Sequence, residues 1–299
     1  MSSSASPERL SLSACDGYPL AADYFAASGT ARGAVLIAGA MGVPRGFYGQ
    51  FAQYLAEHGL AVLTLDYRGL GDSAPPALRG FTGSITDWVD HDLPAAMDAL
   101  ASRTPGVPLL WLGHSVGGQL MGFMDSSRIH AALFIASQSG YWRSWHTARW
   151  RGFMWGISHL LLPGFAATLG YVPARFFGSA LPANVARQWA GWIRDPEYVG
   201  RLARQRDWAD YRRYDRPLRL VTISDDDYAP WQPGEGLLAL YSTAQKEHLG
   251  VSPAEAGARV IGHFAMFRPK FREALWAGWK DWLLTQASSR RNPPLGNAD

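Results

Sequence analysis

The chain has 299 residues, of which 47% are hydrophobic and 18% are charged, and this composition predicts one large globular domain with a sizeable core. The net charge of +3 lacks the dense lysine and arginine clusters of nucleic-acid-binding proteins, so we expect no nucleic-acid partner. The single cysteine, Cys15, excludes an internal disulfide and a cysteine-based metal site.

The N-terminal residues predict an intracellular location and the edge of a sheet. Residues 1–12 lack the basic and apolar regions of a signal peptide, and no apolar run approaches the length of a membrane span. We therefore expect a cytoplasmic protein without stable membrane insertion.

Residues 11–25 alternate polar and apolar side chains around a turn at Asp16-Gly17, which predicts an antiparallel hairpin at a sheet edge.

Apolar runs of strand length then alternate with helical patterns along the chain. Because the runs are apolar throughout, we expect strands buried on both faces, in a mostly parallel sheet with helices on both sides, which is an α/β fold. Strands are predicted at residues 33–39, 60–67, 108–113, 131–137, 218–224 and 258–262. Helices are predicted at residues 47–59, at 85–103 with Thr86 as N-cap and a kink at Pro94, directly after Ser115, and at 271–286.

The junction between the strand at 108–113 and the next helix carries the sequence Gly113-His114-Ser115-Val116-Gly117. A serine between two glycines at a strand-to-helix turn indicates a nucleophile elbow, in which the hydroxyl stands exposed at the sheet edge. The alternative is a tight glycine turn with an idle serine. We favour Ser115 as a nucleophile because both flanking elements are predicted around it.

A nucleophilic serine needs a base and an orienting carboxylate. His263 follows the last predicted strand and would lie at the same edge as Ser115. We expect His114 to point away from the serine beside it. The other six histidines lie on predicted helices, in the segment after residue 140 or near strand starts. The sequence SDDDYAP, residues 224–230, also ends a strand, and it supplies three adjacent carboxylates between the serine and the histidine.

The chain resembles the α/β-hydrolase superfamily over roughly residues 10–286. The similarity is carried by GHSVGG at 113–118, the loop DYRGLGDS at 66–73, an Asp-x-x-x-Pro element and GHF at 262–264. In the loop DYRGLGDS, we expect Arg68 and Asp72 to pair locally. Within the superfamily it is similar to bacterial predicted serine hydrolases related to monoacylglycerol-lipase-like and serine-aminopeptidase-like proteins.

The resemblance assigns roles to particular residues. The family acid stands four residues before a proline, which corresponds to Asp226 before Pro230 and leaves Asp225 and Asp227 as alternatives. The family's oxyanion hole corresponds to the backbone N–H groups of Met41 and Val116, with Ala40 as the alternative to Met41.

Residues 141–217 interrupt the alternation of strands and helices. They hold 12 of the arginines, five acidic residues and seven tryptophans, at positions 142, 145, 150, 155, 189, 192 and 208. We interpret them as an inserted helical lid on a core formed by residues 1–140 and 218–286, and residues 287–299 as a disordered tail. The arginine excess indicates either a solvated face or a surface that attracts an anionic substrate. Tyr141 and Trp142 are candidates for the substrate pocket, although tryptophans in such a segment also serve simply to pack it onto the core.

These observations predict a serine hydrolase without a cofactor or a metal ion, acting on a carboxylic ester whose acyl part is apolar. Its partner would be a small-molecule acyl substrate. Thioesterase, lactonase, peptidase and acyltransferase activity use the same residues and stay open. A protein of another class, with this fold but only a binding function, is the further alternative. The oligomeric state is not predicted.

Overall fold

The computed structural model describes residues 6–205 and 209–289. Within them, one large sheet has the strand order β1-β2-β4-β3-β5-β6-β9-β10. Its strands are β1 Glu8–Ser13, β2 Pro19–Phe25, β3 Gly33–Ala38, β4 Leu60–Leu65, β5 Leu109–His114, β6 Ile129–Ile135, β9 Pro217–Ile223 and β10 Gln245–Val251, and a separate hairpin pairs β7 Tyr171–Val172 with β8 Leu181–Pro182.

The sheet is mostly parallel, as predicted. The pairs β1–β2 and β2–β4 are antiparallel, and every pairing from β4 to β10 is parallel. The predicted edge hairpin with its turn at Asp16-Gly17 is confirmed as β1 and β2. Because the central strands run in one direction, the carboxyl ends of β3, β5, β6 and β9 lie along one edge, where α/β folds bind ligands.

The central strands are apolar throughout because both faces of the sheet are covered. On β3, Leu36 packs in one core together with Trp111, whereas Val35 and Ile37 pack in the core on the opposite face. Helices cover both faces, which confirms the α/β class. The helices are α1 Gly49–Glu57, α2 Ile85–Asp87, α3 Leu93–Arg103, α4 Val116–Leu120, α5 Ala148–Gly156, α6 Leu162–Thr168, α7 Ala183–Arg194, α8 Gly200–Gln205, α9 Ala209–Arg213, α10 Trp231–Leu240 and α11 Ala277–Ser288.

The predicted N-cap of the helix at 85–103 is wrong by two residues. Ser84, not Thr86, caps α2: its side chain accepts a hydrogen bond from the Asp87 N–H, and the Asp87 carboxylate accepts from the Ser84 N–H at 2.8 Å. This reciprocal pair is a capping box, which satisfies two backbone donors. The Thr86 hydroxyl instead bonds the Gln188 side chain at 2.5 Å. The kink was predicted at Pro94, but Pro94 lies in the first turn of α3, and the irregularity of the helix is a π-helical turn at Trp88–Asp92 just before it.

The last strand was predicted in the wrong place. Residues 258–262 form a loop, and the edge strand is β10, whose sequence QKEHLGV is polar because most of it faces solvent. An exposed edge strand lacks the apolar run on which the prediction relied. The isolated apolar side chain Val260 is 66% exposed and therefore does not mark a buried strand.

The loop DYRGLGDS is held by ion pairs in which the arginine side chains, Arg45 and Arg68, are buried. Arg68 bonds Asp92 at 2.7 Å and Asp16 at 2.6 Å. Asp72 contacts Arg45, which also pairs with the buried carboxylate of Asp66. Arg68 and Asp72 therefore pair with residues from other parts of the chain, so the expected local pairing is wrong.

The inserted segment, residues 141–217, contains α5 to α9 and the β7–β8 hairpin, and its last residue begins β9. A π-turn at Ile157–Leu161 joins α5 to α6. Trp208, and the predicted tail from residue 290 onward, lie outside the described residues. In the part of the chain that is described, none of the helices has the length and apolar character needed to cross a membrane.

Candidate active site

Ser115 occupies the sharp turn between β5 and α4. Its backbone has φ 54° and ψ −117°, a strained conformation that costs on the order of 1–3 kcal/mol for a residue with a side chain. The flanking glycines allow the turn, because a Cβ on Gly117 would lie 1.9 Å from the Ala38 carbonyl oxygen and one on Gly113 would lie 2.4 Å from the Gly118 nitrogen. The geometry is that of a nucleophile elbow.

His263 and Asp226 lie together at the same sheet edge. The His263 Nδ1 is 2.6 Å from the Asp226 Oδ2, and both side chains are buried. The other carboxylate oxygen of Asp226 accepts hydrogen bonds from the Tyr228 and Ala229 N–H groups at 2.9 and 3.2 Å. Asp226 is thus fixed by its own backbone turn and aimed at the imidazole.

The three consecutive carboxylates have different surroundings. Asp225 accepts hydrogen bonds from the Ile261 and Gly262 N–H groups at 2.9 and 3.0 Å, so it anchors the loop that carries His263. The Asp227 side chain is exposed and accepts no hydrogen bond from the described residues, whereas its backbone carbonyl accepts one from Trp145 Nε1 at 2.7 Å. Of the three, Asp226 is the one that contacts the histidine.

A cavity of about 600 Å³ connects the sheet edge to the inserted segment. Ser115 and His263 both line it, and His114, the residue before the serine, holds the His263 carbonyl at 2.9 Å. Most of the wall is apolar: it is formed by Met41, Val43, Phe47, Phe153, Met154, Ile157, Leu161, Phe176, Phe177, Trp189 and Phe264. Such a lining suits an apolar acyl chain beside the serine.

The two candidates for the first oxyanion donor differ in their hydrogen bonds. The Ala40 N–H donates to the Tyr48 hydroxyl at 2.8 Å and is not available to a substrate. Among the described residues, the Met41 N–H donates no hydrogen bond, and Met41 lines the cavity. Val116 begins α4, where the first N–H groups of a helix have no partner inside it. The geometry favours Met41 and Val116 over Ala40.

His114 is fully buried behind the elbow and does not line the cavity. Its Nδ1 is 2.9 Å from the Tyr48 hydroxyl and its Nε2 is 2.9 Å from the His263 carbonyl oxygen. Burial, reinforced by the neighbouring His263, holds the pKa of His114 well below its usual value. We read it as a neutral imidazole that supports the site from behind.

The structure does not bring Tyr141 and Trp142 to the wall of the cavity. Their rings contact each other at 6.1 Å, and Trp142 faces His159 at 6.3 Å. Among the described tryptophans, the one that lines the cavity is Trp189 on α7. Proximity in sequence to a sheet strand does not reveal which face of a distant helix turns inward, so nothing in the sequence distinguished Trp189 from the other tryptophans of the segment.

Most of the other tryptophans of the inserted segment pack it in place. Trp145 is buried and bonded to the Asp227 carbonyl, and Trp192 stacks on Phe123 at 5.8 Å. Trp155 is 41% exposed and stacks on His159. Packing, rather than contact with the cavity, is therefore the usual role of these side chains.

The comparisons with known proteins agree with this geometry. A family model described as serine aminopeptidase, S33, matches residues 29–204, which is more than half of the chain. No curated protein sequence matches. Among solved structures, a soluble variant of monoglyceride lipase from Saccharomyces cerevisiae, in complex with a substrate analogue, superposes with a TM-score of 0.64 at 17% identity, covering 95% of this chain and 96% of that chain.

Two further structures show the same fold. Est1E from Butyrivibrio proteoclasticus has a TM-score of 0.60 at 16% identity, covering 94% of this chain and 99% of its own. An acylaminoacyl peptidase from Pyrococcus horikoshii has a TM-score of 0.62 at 14% identity, covering 96% of this chain but 43% of its own. At such low identity these likenesses establish the fold, not the substrate.

Proposed function

The chain belongs to the serine aminopeptidase S33 family and is a serine hydrolase of the α/β-hydrolase fold, and from this premise we propose that Ser115, His263 and Asp226 are its catalytic triad and that it cleaves carboxylic esters with an apolar acyl part. The observation that carries the proposal is the 2.6 Å contact between His263 and Asp226 beside the apolar cavity that Ser115 also lines. A paired imidazole and carboxylate at a cavity that a serine also lines is the arrangement that activates a hydroxyl.

The chemistry runs in two halves. His263 Nε2 takes the proton of the Ser115 hydroxyl as its oxygen attacks the ester carbonyl, while Asp226 holds the proton on Nδ1 and stabilises the imidazolium. The Met41 and Val116 N–H groups donate to the oxyanion. The imidazolium then protonates the departing alcohol, which leaves an acyl-enzyme. Water, deprotonated by His263, releases the acid and restores the serine.

We further propose that the inserted segment acts as a lid. Phe153, Ile157 and Trp189 come from this segment and line the cavity together with Ser115. A lid built from such side chains excludes water and binds the acyl chain. The similarity to a monoglyceride lipase supports an ester as the substrate, whereas the similarity to an acylaminoacyl peptidase keeps a peptide as the alternative.

The test is hydrolysis of p-nitrophenyl esters of increasing acyl length by the wild type and by Ser115→Ala. We expect the wild type to prefer a medium or long chain over acetate, and the variant to be inactive. Comparable turnover by Ser115→Ala would remove the serine from the mechanism. A folded wild type that binds the esters without hydrolysing them would support the binding-protein alternative.

Thioesterase activity is the second candidate, and one observation favours it. Arg175 lines the cavity and is exposed at the surface, and within the described residues it has no carboxylate partner, only the rings of Phe165 and Phe176. A free guanidinium there suits a leaving group that carries phosphate. Faster cleavage of an acyl-coenzyme A than of the matching N-acetylcysteamine thioester would support this candidate, and equal rates would contradict it.

A further inference from the structure

A chain of buried hydrogen bonds runs behind the candidate site. His114, at the middle of this chain, does not line the cavity. The Ala40 N–H donates to the Tyr48 hydroxyl at 2.8 Å, this hydroxyl lies 2.9 Å from His114 Nδ1, and His114 Nε2 lies 2.9 Å from the His263 carbonyl oxygen. Tyr48 is 1% and His114 is 0% exposed. The hydrogen-bond chain begins at Ala40, the residue before Met41, and ends at the backbone carbonyl of His263, the candidate base.

The direction of each hydrogen bond follows from the groups involved. A carbonyl oxygen only accepts, so His114 Nε2 carries the proton and donates to His263. In the neutral imidazole the other nitrogen then accepts, and the Tyr48 hydroxyl donates to it. The lone pairs of that hydroxyl accept from the Ala40 N–H. Both nitrogens of His114 and the Tyr48 hydroxyl therefore each have a hydrogen-bond partner.

The far side of the same peptide group is also held. The Tyr67 hydroxyl lies 3.3 Å from the Gly39 carbonyl oxygen, so one tyrosine contacts the C=O and the other contacts the N–H of the Gly39–Ala40 peptide. Gly39 permits this because a Cβ there would lie 3.0 Å from the Tyr48 ring. This peptide directly precedes the one that carries the Met41 N–H, so holding it restricts where that N–H can point.

We propose that Tyr48 and His114 are positioning residues that fix the Met41 N–H and the His263 imidazole relative to each other, an inference that rests on the proposed function. Apolar side chains of similar volume would fill the space at a smaller desolvation cost, so simple core packing does not account for a buried imidazole bonded at both nitrogens. The two loops that it joins each carry one proposed catalytic group, and loops need such ties to keep a catalytic geometry.

The decisive variant is Tyr48→Phe, which deletes one oxygen atom and leaves the ring against Phe47 and Phe267. We expect kcat on a medium-chain p-nitrophenyl ester, measured per titrated active site, to fall about 10-fold with KM within about 2-fold, because a displaced oxyanion donor weakens only transition-state binding. Tyr214→Phe is the matched control: its buried hydroxyl bonds the Pro217 carbonyl at 3.1 Å, away from the site, and kcat should stay unchanged.

Variants of His114 separate positioning from packing. His114→Leu should lower kcat about 30-fold, whereas His114→Gln, which retains one donor and one acceptor, should recover it to within about 3-fold of the wild type. The double variant Tyr48→Phe/His114→Leu should be no slower than His114→Leu, since both changes interrupt one chain. If the leucine variant does not fold, Tyr48→Phe and His114→Gln decide the matter.

The outcomes distinguish this inference from the proposed function. An unchanged kcat in Tyr48→Phe, with a lowered melting temperature only, would overturn the positioning role while leaving the triad intact. Failure of the wild type to hydrolyse any ester or to react with a fluorophosphonate would overturn both. A loss of kcat in Tyr48→Phe that Tyr214→Phe reproduces would show a general effect of buried hydroxyl loss, and would also overturn the inference.

Discussion

The sheet edge and the inserted segment hold their functional side chains in different ways. At the edge, Ser115 lies in a strained turn that glycines permit, and Asp226 is fixed by two N–H groups of its own loop. In the inserted segment, cavity-lining side chains such as Phe153, which is 44% exposed, are held by ring packing. Directional hydrogen bonds specify positions to a fraction of an ångström, whereas apolar contacts tolerate repacking.

We infer that the sheet edge and the inserted segment have different functions. The edge supplies groups that must meet a reacting atom at fixed distances, and the inserted segment supplies a surface that accommodates a chain. Changes at the edge should therefore act on kcat, and changes in the segment should act on KM and on substrate preference. The following variants test this division.

Replacement of the nucleophile should have the largest effect. Ser115→Ala should lower kcat at least about 10⁴-fold, since without the hydroxyl no acyl-enzyme forms. Ser139→Ala is the control, because Ser139 follows β6 at the same edge but bonds the Pro233 carbonyl instead. Steady-state hydrolysis of a p-nitrophenyl ester measures both, and the control should match the wild type.

Replacement of the base should come next. His263→Ala should lower kcat at least about 10³-fold, because it removes the proposed acceptor of the serine proton. His159→Ala, in the inserted segment, should remain within about 2-fold of the wild type. Near-normal turnover in His263→Ala would require a different base, and a large loss in His159→Ala would break the division between the regions.

Replacement of the three adjacent carboxylates should affect kcat to different extents. Asp226→Asn should lower kcat about 10³-fold, since an amide no longer stabilises the imidazolium. Asp225→Asn should lower it about 10-fold, because one of its two hydrogen bonds to the His263 loop survives. Asp227→Asn, with its exposed side chain, should be unchanged. Equal losses at 225 and 226 would contradict separate roles, and turnover is again the measurement.

Truncation of the cavity wall should affect binding. Trp189→Ala should raise KM about 5- to 10-fold for a medium-chain ester and leave the acetate ester unaffected, because only the longer chain reaches that side chain. Trp155→Ala, which removes a tryptophan outside the cavity, is the control. A fall in kcat on the acetate ester would show that Trp189 supports the catalytic geometry as well.

Arg175 should produce the smallest effect. Arg175→Gln should lower kcat/KM about 3- to 5-fold for an ester or thioester with an anionic leaving group and should not change it for a neutral one, because an exposed charge is screened by solvent. Raising the ionic strength should reduce the difference. If Arg175→Gln changed kcat/KM equally for the anionic and the neutral substrates, Arg175 would not recognise the charge of the leaving group.

The sequence was most informative where backbone sterics and strand burial dominate. The glycines around Ser115 and the apolar runs of β3, β5 and β6 leave few alternatives, and these features predicted the sheet and the elbow. The predicted strand ends before Ser115 and before the carboxylates placed those residues at one edge. His263 was placed there by a predicted strand at 258–262 that is a loop in the structure, so that placement was right for the wrong reason. Asp226 could be chosen over its neighbours only by resemblance, because the distinction depends on how the turn at 225–229 folds.

What the sequence did not reveal depends on long-range packing. β10 is a polar edge strand, and its pattern does not differ from that of a loop. The hydrogen bonds of Tyr48 to Ala40 and His114 join residues up to 66 positions apart. The inward face of α7 depends on how the inserted segment docks, so that Trp189 had no local signature while Tyr141 and Trp142 were chosen by proximity alone.

The most direct test of the account is to treat the folded wild type with a fluorophosphonate and to map the adduct by mass spectrometry after digestion. The account predicts one adduct, on Ser115, with labelling that is slowed strongly in His263→Ala and abolished in Ser115→Ala. An adduct on another serine, or undiminished labelling in His263→Ala, would contradict it.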